Sequence, residues 1–398
     1  MKICYFNYVY GESGANVHVR EFAKAFADLG HEIELFFQNG EPVQKYSSGA
    51  RVRVALKKKF ARYLHEASQI SKNLKYIFEE RRILRREQPD LILTRYELHN
   101  FSTILLARLK KMPIVLEVNA PAAFEYRTFS PQYLYLPLLS ELMERFTLRC
   151  ADAVTVVSDE LKAYFVEKYG LKEEQVHVVV NGADVEKFNP CEDGQEVRSR
   201  FNLGDRIVVG FSGSFQMFHG VNALFEAMPE VLKDNHDIHF LVVGSGEDDE
   251  VSDFLESSAF KDRITLTGHL PHEEMPAYLG AMDIALLPDT AFYCSPLKIF
   301  EYMAAGKATI APDVGPVRKI ITHGVDGYLI SPGDKDRLVE AILYLARNKT
   351  VRKLLGEDAR KTIMNKYTWN KNARKVAMIC RSALGDNGQA FQKSWGQG

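Results

Sequence analysis

The densest chemistry in the chain lies in Ser295-Pro296-Leu297-Lys298-Ile299-Phe300-Glu301-Tyr302-Met303-Ala304-Ala305-Gly306. Ser295 is of a type that caps the first free amides of a helix, and Pro296 at the first helical position gives up only an N–H that would lack a partner there. The amides left over, at the positive end of the helix, suit an anion. Lys298 and Glu301 stand three residues apart on one face, so a cation and a carboxylate point together at whatever occupies the helix mouth. Phosphate fits the lysine and ribose hydroxyls fit the glutamate, which together describe a sugar nucleotide.

Further polar residues fall just after apolar runs. Gly14 sits in the turn 10–15 with His18 behind it, Arg95, Glu97 and His99 follow the run 91–94, and Asn119 follows 114–118. Ser212, Gly213, Ser214 and His219 follow 207–211, and Gly244-Ser245-Gly246 follows 239–243. Amides and small side chains there leave room for a phosphate or for an acceptor to approach the backbone. Each has a plainer reading as well. Glycines serve tight turns, Asn119 can cap the turn before Pro121, and Arg95, Glu97, His99 and Arg127 can be rim residues. Asp334-Lys335-Asp336 resembles a metal-binding pair of aspartates, but it follows Pro332-Gly333 and precedes Leu338, Ala341 and Ile342 at helical spacing, which predicts a helix cap. Cys294 has no paired histidine in the sequence to activate it.

The elements that must position these residues alternate. Residues 3–9 read as a strand; Val19, Phe22, Phe26 and Leu29 recur at helical spacing until Gly30; residues 33–37 form a second strand. Short apolar runs at 91–94, 114–118, 153–157 and 176–180 predict a parallel sheet covered on both faces. A new β-α-β unit opens at 207–211, with a helix over 220–232 and runs at 239–243, 264–267 and 283–287. Two doubly wound, Rossmann-like domains in series follow, with 189–194 as linker and ligands held in a cleft where the carboxyl ends of the strands face each other. The expected division is 1–190, 191–375, and a segment 376–398 that packs back on the first domain and ends in a disordered tail.

With 398 residues, 46% hydrophobic and 26% charged, the chain has material for two cores. The net charge of -1 hides a basic segment at 51–86, where twelve Lys/Arg face only Glu66, Glu79 and Glu80. Phe60, Leu64, Ala67, Ile70, Leu74, Ile77, Phe78 and Leu84 recur among them at roughly helical intervals, giving an amphipathic basic helix. Such a helix either packs with a solvated charged face or docks on an anionic membrane surface; nucleic acid is disfavoured because no stacking motif accompanies the charge. Five scattered cysteines without a Cys-x-x-Cys pair argue against a disulfide framework or structural zinc and for a cytoplasmic setting. The N-terminus has no signal-peptide pattern, and nowhere do about 20 apolar residues run together.

Taken together, Gly14, Gly30-His31-Glu32, Ala151-Asp152-Ala153-Val154 through Val157-Ser158, Asn181-Gly182-Ala183-Asp184 with Phe188, and the Lys298–Ala305 stretch make the chain resemble a family 4 retaining glycosyltransferase of the GT-B fold over nearly its whole length. The resemblance implies transfer of a sugar from a nucleotide diphosphate sugar to a glycan, lipid-linked or small-molecule hydroxyl, without cofactor or metal. It implies that the leaving phosphate takes the acceptor's proton. Lys298, Glu301 and Asn119 are the catalytic candidates. Gly213, Ser214, His219, Gly244, Ser295, Pro296 and Leu297 join Lys298 and Glu301 on the donor side, with Gly14, His18, Arg95, Glu97 and His99 on the acceptor or phosphate loop. The sequence also departs from the family pattern. Tyr293 stands where a first glutamate is usual, Ser214 and His219 where Arg and Lys are usual, and Asn119 where His is usual. Lys298 could replace one of the two missing charges, and His219, if protonated by the phosphates, could partly replace the other. Two other readings compete: a sugar-nucleotide-binding protein without turnover, motivated by these departures, and a sugar-nucleotide epimerase, which would need an acid and a base around the sugar.

Overall fold

The computed structural model describes residues 1–9, 14–37, 54–190, 194–244 and 259–385, with side chains omitted at 14, 15 and 54–64. It forms two compact units. One is Met1–Val180 together with the chain from Asn370 onward, and the other is Asn181–Trp369. The segment 181–190 thus belongs to the second unit, and the helix Trp369–Ala383, from its second residue on, to the first. Ala373, Val376, Ala377 and Cys380 of that helix are buried, and Asn372 Nδ2 donates to the Val180 carbonyl at 2.7 Å. The proposed tail beyond 385 lies outside the described residues.

Each unit is built on a six-stranded parallel sheet. The first contains β1 (Lys2–Asn7), β2 (Glu32–Phe37), β3 (Leu91–Arg95), β4 (Ile114–Val118), β5 (Ala153–Val156) and β6 (Val176–Val178) in the order β2-β1-β3-β4-β5-β6. The second contains β7 (Ile207–Ser212), β8 (Ile238–Val243), β9 (Ile264–Leu266), β10 (Ile284–Leu286), β11 (Ala308–Pro312) and β12 (Tyr328–Ile330) in the order β12-β11-β10-β7-β8-β9. Strands covered on both faces are apolar at successive positions. β8, Ile-His-Phe-Leu-Val-Val, is buried throughout, and Nε2 of its one imidazole lies 2.8 Å from the Thr265 hydroxyl. In each sheet the chain first builds outward in one direction and then returns to the other side, between β1 and β3 in the first and between β7 and β10 in the second. These are the points where loops diverge and open a crevice at the strands' carboxyl ends.

Local signals set several boundaries. Ser158 caps the Asp159–Tyr169 helix by accepting the Leu161 N–H at 3.1 Å, and Gly170 ends it at φ +62°. Asp334 caps Lys335–Arg347 by accepting the Arg337 N–H at 3.0 Å, so the Asp-Lys-Asp motif opens a helix. The basic segment forms one long helix, Val54–Glu87, but the phase differs from the apolar spacing. Glu66, Asn73, Tyr76, Glu80 and Leu84 face inward, while Leu74 and Phe78 face out. Polar inward residues hide such a face from a hydrophobicity count. Among the described residues no helix is long and apolar enough to cross a membrane.

Candidate active site

In the second unit the site grows from β7, β8 and the helix Leu297–Ala304. The Ser212 N–H at the end of β7 donates to the Tyr302 hydroxyl at 2.8 Å, tying the strand end to the helix. Gly213 follows at φ +125°, and a Cβ there would lie 2.7 Å from Lys298 Nζ. Gly244, after β8, has φ +137°, and its Cβ would lie 2.0 Å from the Gly213 carbonyl oxygen. Only glycine suits both positions. The result is a bare backbone ledge beside a lysine.

Lys298 Nζ lies 4.5 Å from the Phe211 ring centroid and 3.4 Å from His219 Nδ1. Burial draws its pKa down to about 7, with Glu301 and Cys294 opposing the shift. His219 Nδ1 is 2.8 Å from the Ser214 carbonyl, which can only accept, so Nδ1 carries the proton. Burial, and after it Lys298, push His219 down to about 3. Without a diphosphate His219 is therefore neutral, because burial and the neighbouring Lys298 disfavour its charged form. Glu301 is held from behind. Its Oε1 accepts from His272 Nε2 at 2.7 Å, while His272 Nδ1 accepts from Lys187 Nζ at 2.8 Å, because an ammonium can only donate.

Ser295 does not cap the helix. It is buried, its hydroxyl accepts the Asn181 N–H at 3.2 Å, and its carbonyl accepts Asn181 Nδ2 at 2.5 Å. The buried Asn181 has donors that must be satisfied, and Ser295 satisfies them. Pro296 is the residue before the helix, at ψ 121°, and its carbonyl accepts the Ile299 N–H at 3.1 Å. Leu297 is therefore the first helical residue, one position later than the sequence predicts. With no side-chain cap, the first amides of the helix keep their capacity for an anion. Tyr293 is fully buried.

In the first unit a second polar cluster forms around Glu117 on β4. Its Oε1 accepts from His18 Nε2 at 3.0 Å, Arg95 Nη1 at 3.0 Å and Asn119 Nδ2 at 3.1 Å, and its Oε2 from the Tyr5 hydroxyl at 2.5 Å. Burial by itself would raise the carboxyl; His18, Arg95 and Tyr5 overcome it and hold the pKa at about 2. Asn119 Oδ1 is buried with no hydrogen-bond partner among the described residues. Three of the sequence candidates, His18, Arg95 and Asn119, thus converge on a carboxylate that the sequence reading passed over. Its signal was a lone acid inside the apolar run Ile-Val-Leu-Glu-Val.

Two candidates lie apart from that carboxylate. His99, at φ +68°, has Nε2 2.7 Å from Ser140 Oγ and 3.6 Å from Glu66, and it joins helices rather than contributing to the Glu117 cluster. Glu97 is half-buried, and burial pushes its carboxyl up to about 7 against the pull of Arg95. Gly14 begins the helix Gly14–Asp28; the turn before it, and Ser245 and Gly246, lie outside the described residues.

Comparison with known proteins identifies the family. The family description "Glycosyltransferase Family 4" matches residues 13–187, and "Glycosyl transferases group 1" matches residues 206–348. The chain belongs to glycosyltransferase family 4. Among relatives, an alpha-D-kanosaminyltransferase of Streptomyces kanamyceticus is 25% identical over 78% of this chain and 81% of its own length. A UDP-Gal:alpha-D-GlcNAc-diphosphoundecaprenol alpha-1,3-galactosyltransferase of Escherichia coli is 24% identical over 77% of this chain and 78% of its own. Sucrose-phosphate synthase from Thermosynechococcus elongatus shares the fold at TM-score 0.76, with 20% identity over 97% of this chain and 100% of its own. Anabaena HepE, solved in complex with UDP-glucose, gives TM-score 0.69 with 19% identity over 96% and 100% of the two chains.

The family 4 enzyme therefore has a GT-B fold and transfers a sugar from a nucleotide sugar. Its second unit holds a cation, free helix amides and a braced carboxylate within one short stretch. Neither His272 nor Lys187 carried any signal in the sequence, since they lie far along the chain from Glu301. Only the folded chain brings them together.

Proposed function

We propose that this transferase moves a hexosyl group, with retention and without a metal, from a nucleoside diphosphate sugar to a hydroxyl of a glycan, lipid-linked or small-molecule acceptor. The observation that carries the reading is the pairing of Lys298 beside the Gly213 ledge with the braced Glu301 at an uncapped helix N-terminus. In this scheme the bond from the anomeric carbon to the phosphate oxygen breaks and its electron pair leaves with the diphosphate. Lys298 and the helix amides then stabilise that charge more than they do in the ground state. The acceptor oxygen bonds the anomeric carbon, and its proton passes to the departing phosphate. Glu301 accepts from the ribose hydroxyls, and the spare Asn119 oxygen accepts from a sugar hydroxyl.

On the acceptor side, His18, Arg95 and Glu97 line the approach in the first unit. The exposed arginines of the Val54–Glu87 helix support contact of the segment 51–86 with an anionic membrane face. HepE's UDP-glucose makes uridine diphosphate sugars the first donors to try. Calorimetric titration of a nucleoside diphosphate sugar panel with a chelator present, repeated with Glu301→Ala, tests the donor assignment. Binding of one donor that the substitution weakens at least about tenfold supports it. Unchanged binding in Glu301→Ala removes the assignment, and proton NMR of the product's anomeric coupling decides retention.

A further inference from the structure

The first unit exposes apolar side chains where a soluble surface would carry polar ones. Along the helix Pro137–Arg149, Leu138, Leu142 and Phe146 recur every four residues at 76%, 60% and 53% exposure. Arg145 and Arg149 are exposed on the same face. The helix Val54–Glu87 repeats the pattern: Leu74 and Phe78 are 67% and 73% exposed, and Arg81, Arg82 and Arg85 continue the same face. In both helices the order is apolar first, then arginine.

The charge on these faces is of one sign. No exposed position of either helix among the described side chains is acidic. Glu141, the acid closest to the first stripe in sequence, is half-buried and paired with Arg127 at 3.3 Å and Lys168 at 3.1 Å. Glu79, beside the second, pairs with Lys75 at 3.5 Å.

The two helices are also bonded to each other. Glu66 accepts the N–H groups of Tyr135 at 3.0 Å and Leu136 at 2.8 Å and the Ser140 hydroxyl at 3.1 Å, and the His65 and Tyr133 rings lie 5.3 Å apart. Tyr133, Tyr135 and Leu136, the residues at this junction, are themselves exposed. Buried Glu66 thus fixes the start of one apolar stripe onto the helix that carries the other.

We infer that this composite face, Tyr133–Arg149 with the outward side of residues 74–85, is a docking surface for an anionic lipid bilayer. The chemistry selects that occupant. Leucine and phenylalanine ends bury in the acyl boundary, tyrosines suit the interface between apolar and wet layers, and arginines meet lipid phosphates. A protein partner would need acid to match the arginines and would bury them at a desolvation cost that a phosphate-rich surface does not impose. The inference does not depend on the donor reading, since vesicle binding is measured without turnover.

The test is co-sedimentation of the full chain with phosphatidylcholine vesicles, with and without phosphatidylglycerol, at low and high salt. The wild-type chain should bind the phosphatidylglycerol vesicles and lose binding at high salt. Leu142→Ser with Phe146→Ser should weaken that binding about tenfold or more, and Arg145→Gln about fivefold on anionic vesicles only. Leu354→Ser, exposed on the second unit, should leave it unchanged, and unaltered thermal unfolding of the double variant excludes misfolding. Absence of wild-type binding, or equal binding by the double variant, overturns the inference. So does a wild-type dimer in analytical ultracentrifugation that the same double substitution dissociates, because the face would then belong to a second copy of the chain.

Discussion

A lysine brought down to about pKa 7 in the resting site has a measurable consequence when a diphosphate arrives. The anion favours the ammonium, so binding should draw a proton onto Lys298 at and above neutral pH. Donor affinity should therefore fall as pH rises above about 7, by up to about tenfold per pH unit, and calorimetry in buffers of different ionisation enthalpy should show proton uptake. Lys298→Arg, which stays charged, should abolish the uptake. Glu301 makes a second residue-scale case. His272→Leu removes the N–H that braces it and should weaken donor binding roughly tenfold, whereas Glutamine at that position, His272→Gln, offers both a donor and an acceptor and should recover most of the loss. Donor Kd and kcat measured side by side check this. A purely structural role would leave both variants equally impaired.

At the scale of elements, the ends of β7 and β8 meet through backbone, and the two glycines there carry different loads. At Gly244 an added Cβ would strike the Gly213 carbonyl oxygen at 2.0 Å, which no side-chain movement relieves. At Gly213 the obstacle is the far end of Lys298, which can swing away. Gly244→Ala should therefore cost about 1–3 kcal/mol of stability or more, seen as a lower denaturation midpoint. Gly213→Ala carries the positive-φ strain without the backbone clash, so it should cost less stability than Gly244→Ala and should in addition weaken donor binding, because it displaces the lysine. The same strand ends show how far the sequence could be read. The apolar runs located β4 unchanged and β7 and β8 to within a residue, since a parallel strand covered on both faces must be apolar. β11 and β12 were not anticipated: Ala308-Thr309-Ile310-Ala311-Pro312 is small and proline-ended, and Tyr-Leu-Ile is too short to show a period.

For the whole molecule, the two units hold oppositely perturbed groups. The first contains buried carboxyls, Glu80 and Glu144, each pushed up to about 7 mainly by burial, with Tyr8 and Tyr169 respectively as opposing hydrogen-bond donors. A carboxyl whose folded pKa is raised contributes stability below its unfolded value and loses it as pH rises through the folded value. The second unit contains Lys298 and Lys307, lowered to about 7 and about 8 by burial. A lowered lysine takes up a proton only on unfolding, so its unit gains stability as pH rises toward the unfolded value. Between about pH 4.5 and about pH 7 the first unit should therefore lose stability, and between about pH 7 and about pH 10.5 the second should gain it. Calorimetric scans across both ranges would show it, and Glu80→Gln should flatten the response of the first unit alone. A fall in both units with the same slope would contradict the assignment.

The sequence by itself determined the two doubly wound sheets, the helix that presents Lys298 and Glu301, and the family, because each is written in residues close along the chain. Periodicity and short motifs are local, and local order survives as sequence. Tertiary structure alone decided what surrounds them. Glu117 gathers Tyr5, His18, Arg95 and Asn119 from two strands, a helix and a loop, and Ser295 answers to Asn181 rather than to its own helix. Lys187 and His272 brace Glu301 from distant positions, and inward-facing Glu66, Asn73 and Glu80 turn Leu74 and Phe78 outward. In each case a buried polar group had to find partners, and the partners it found are set by proximity in the folded chain, which no spacing along the sequence encodes.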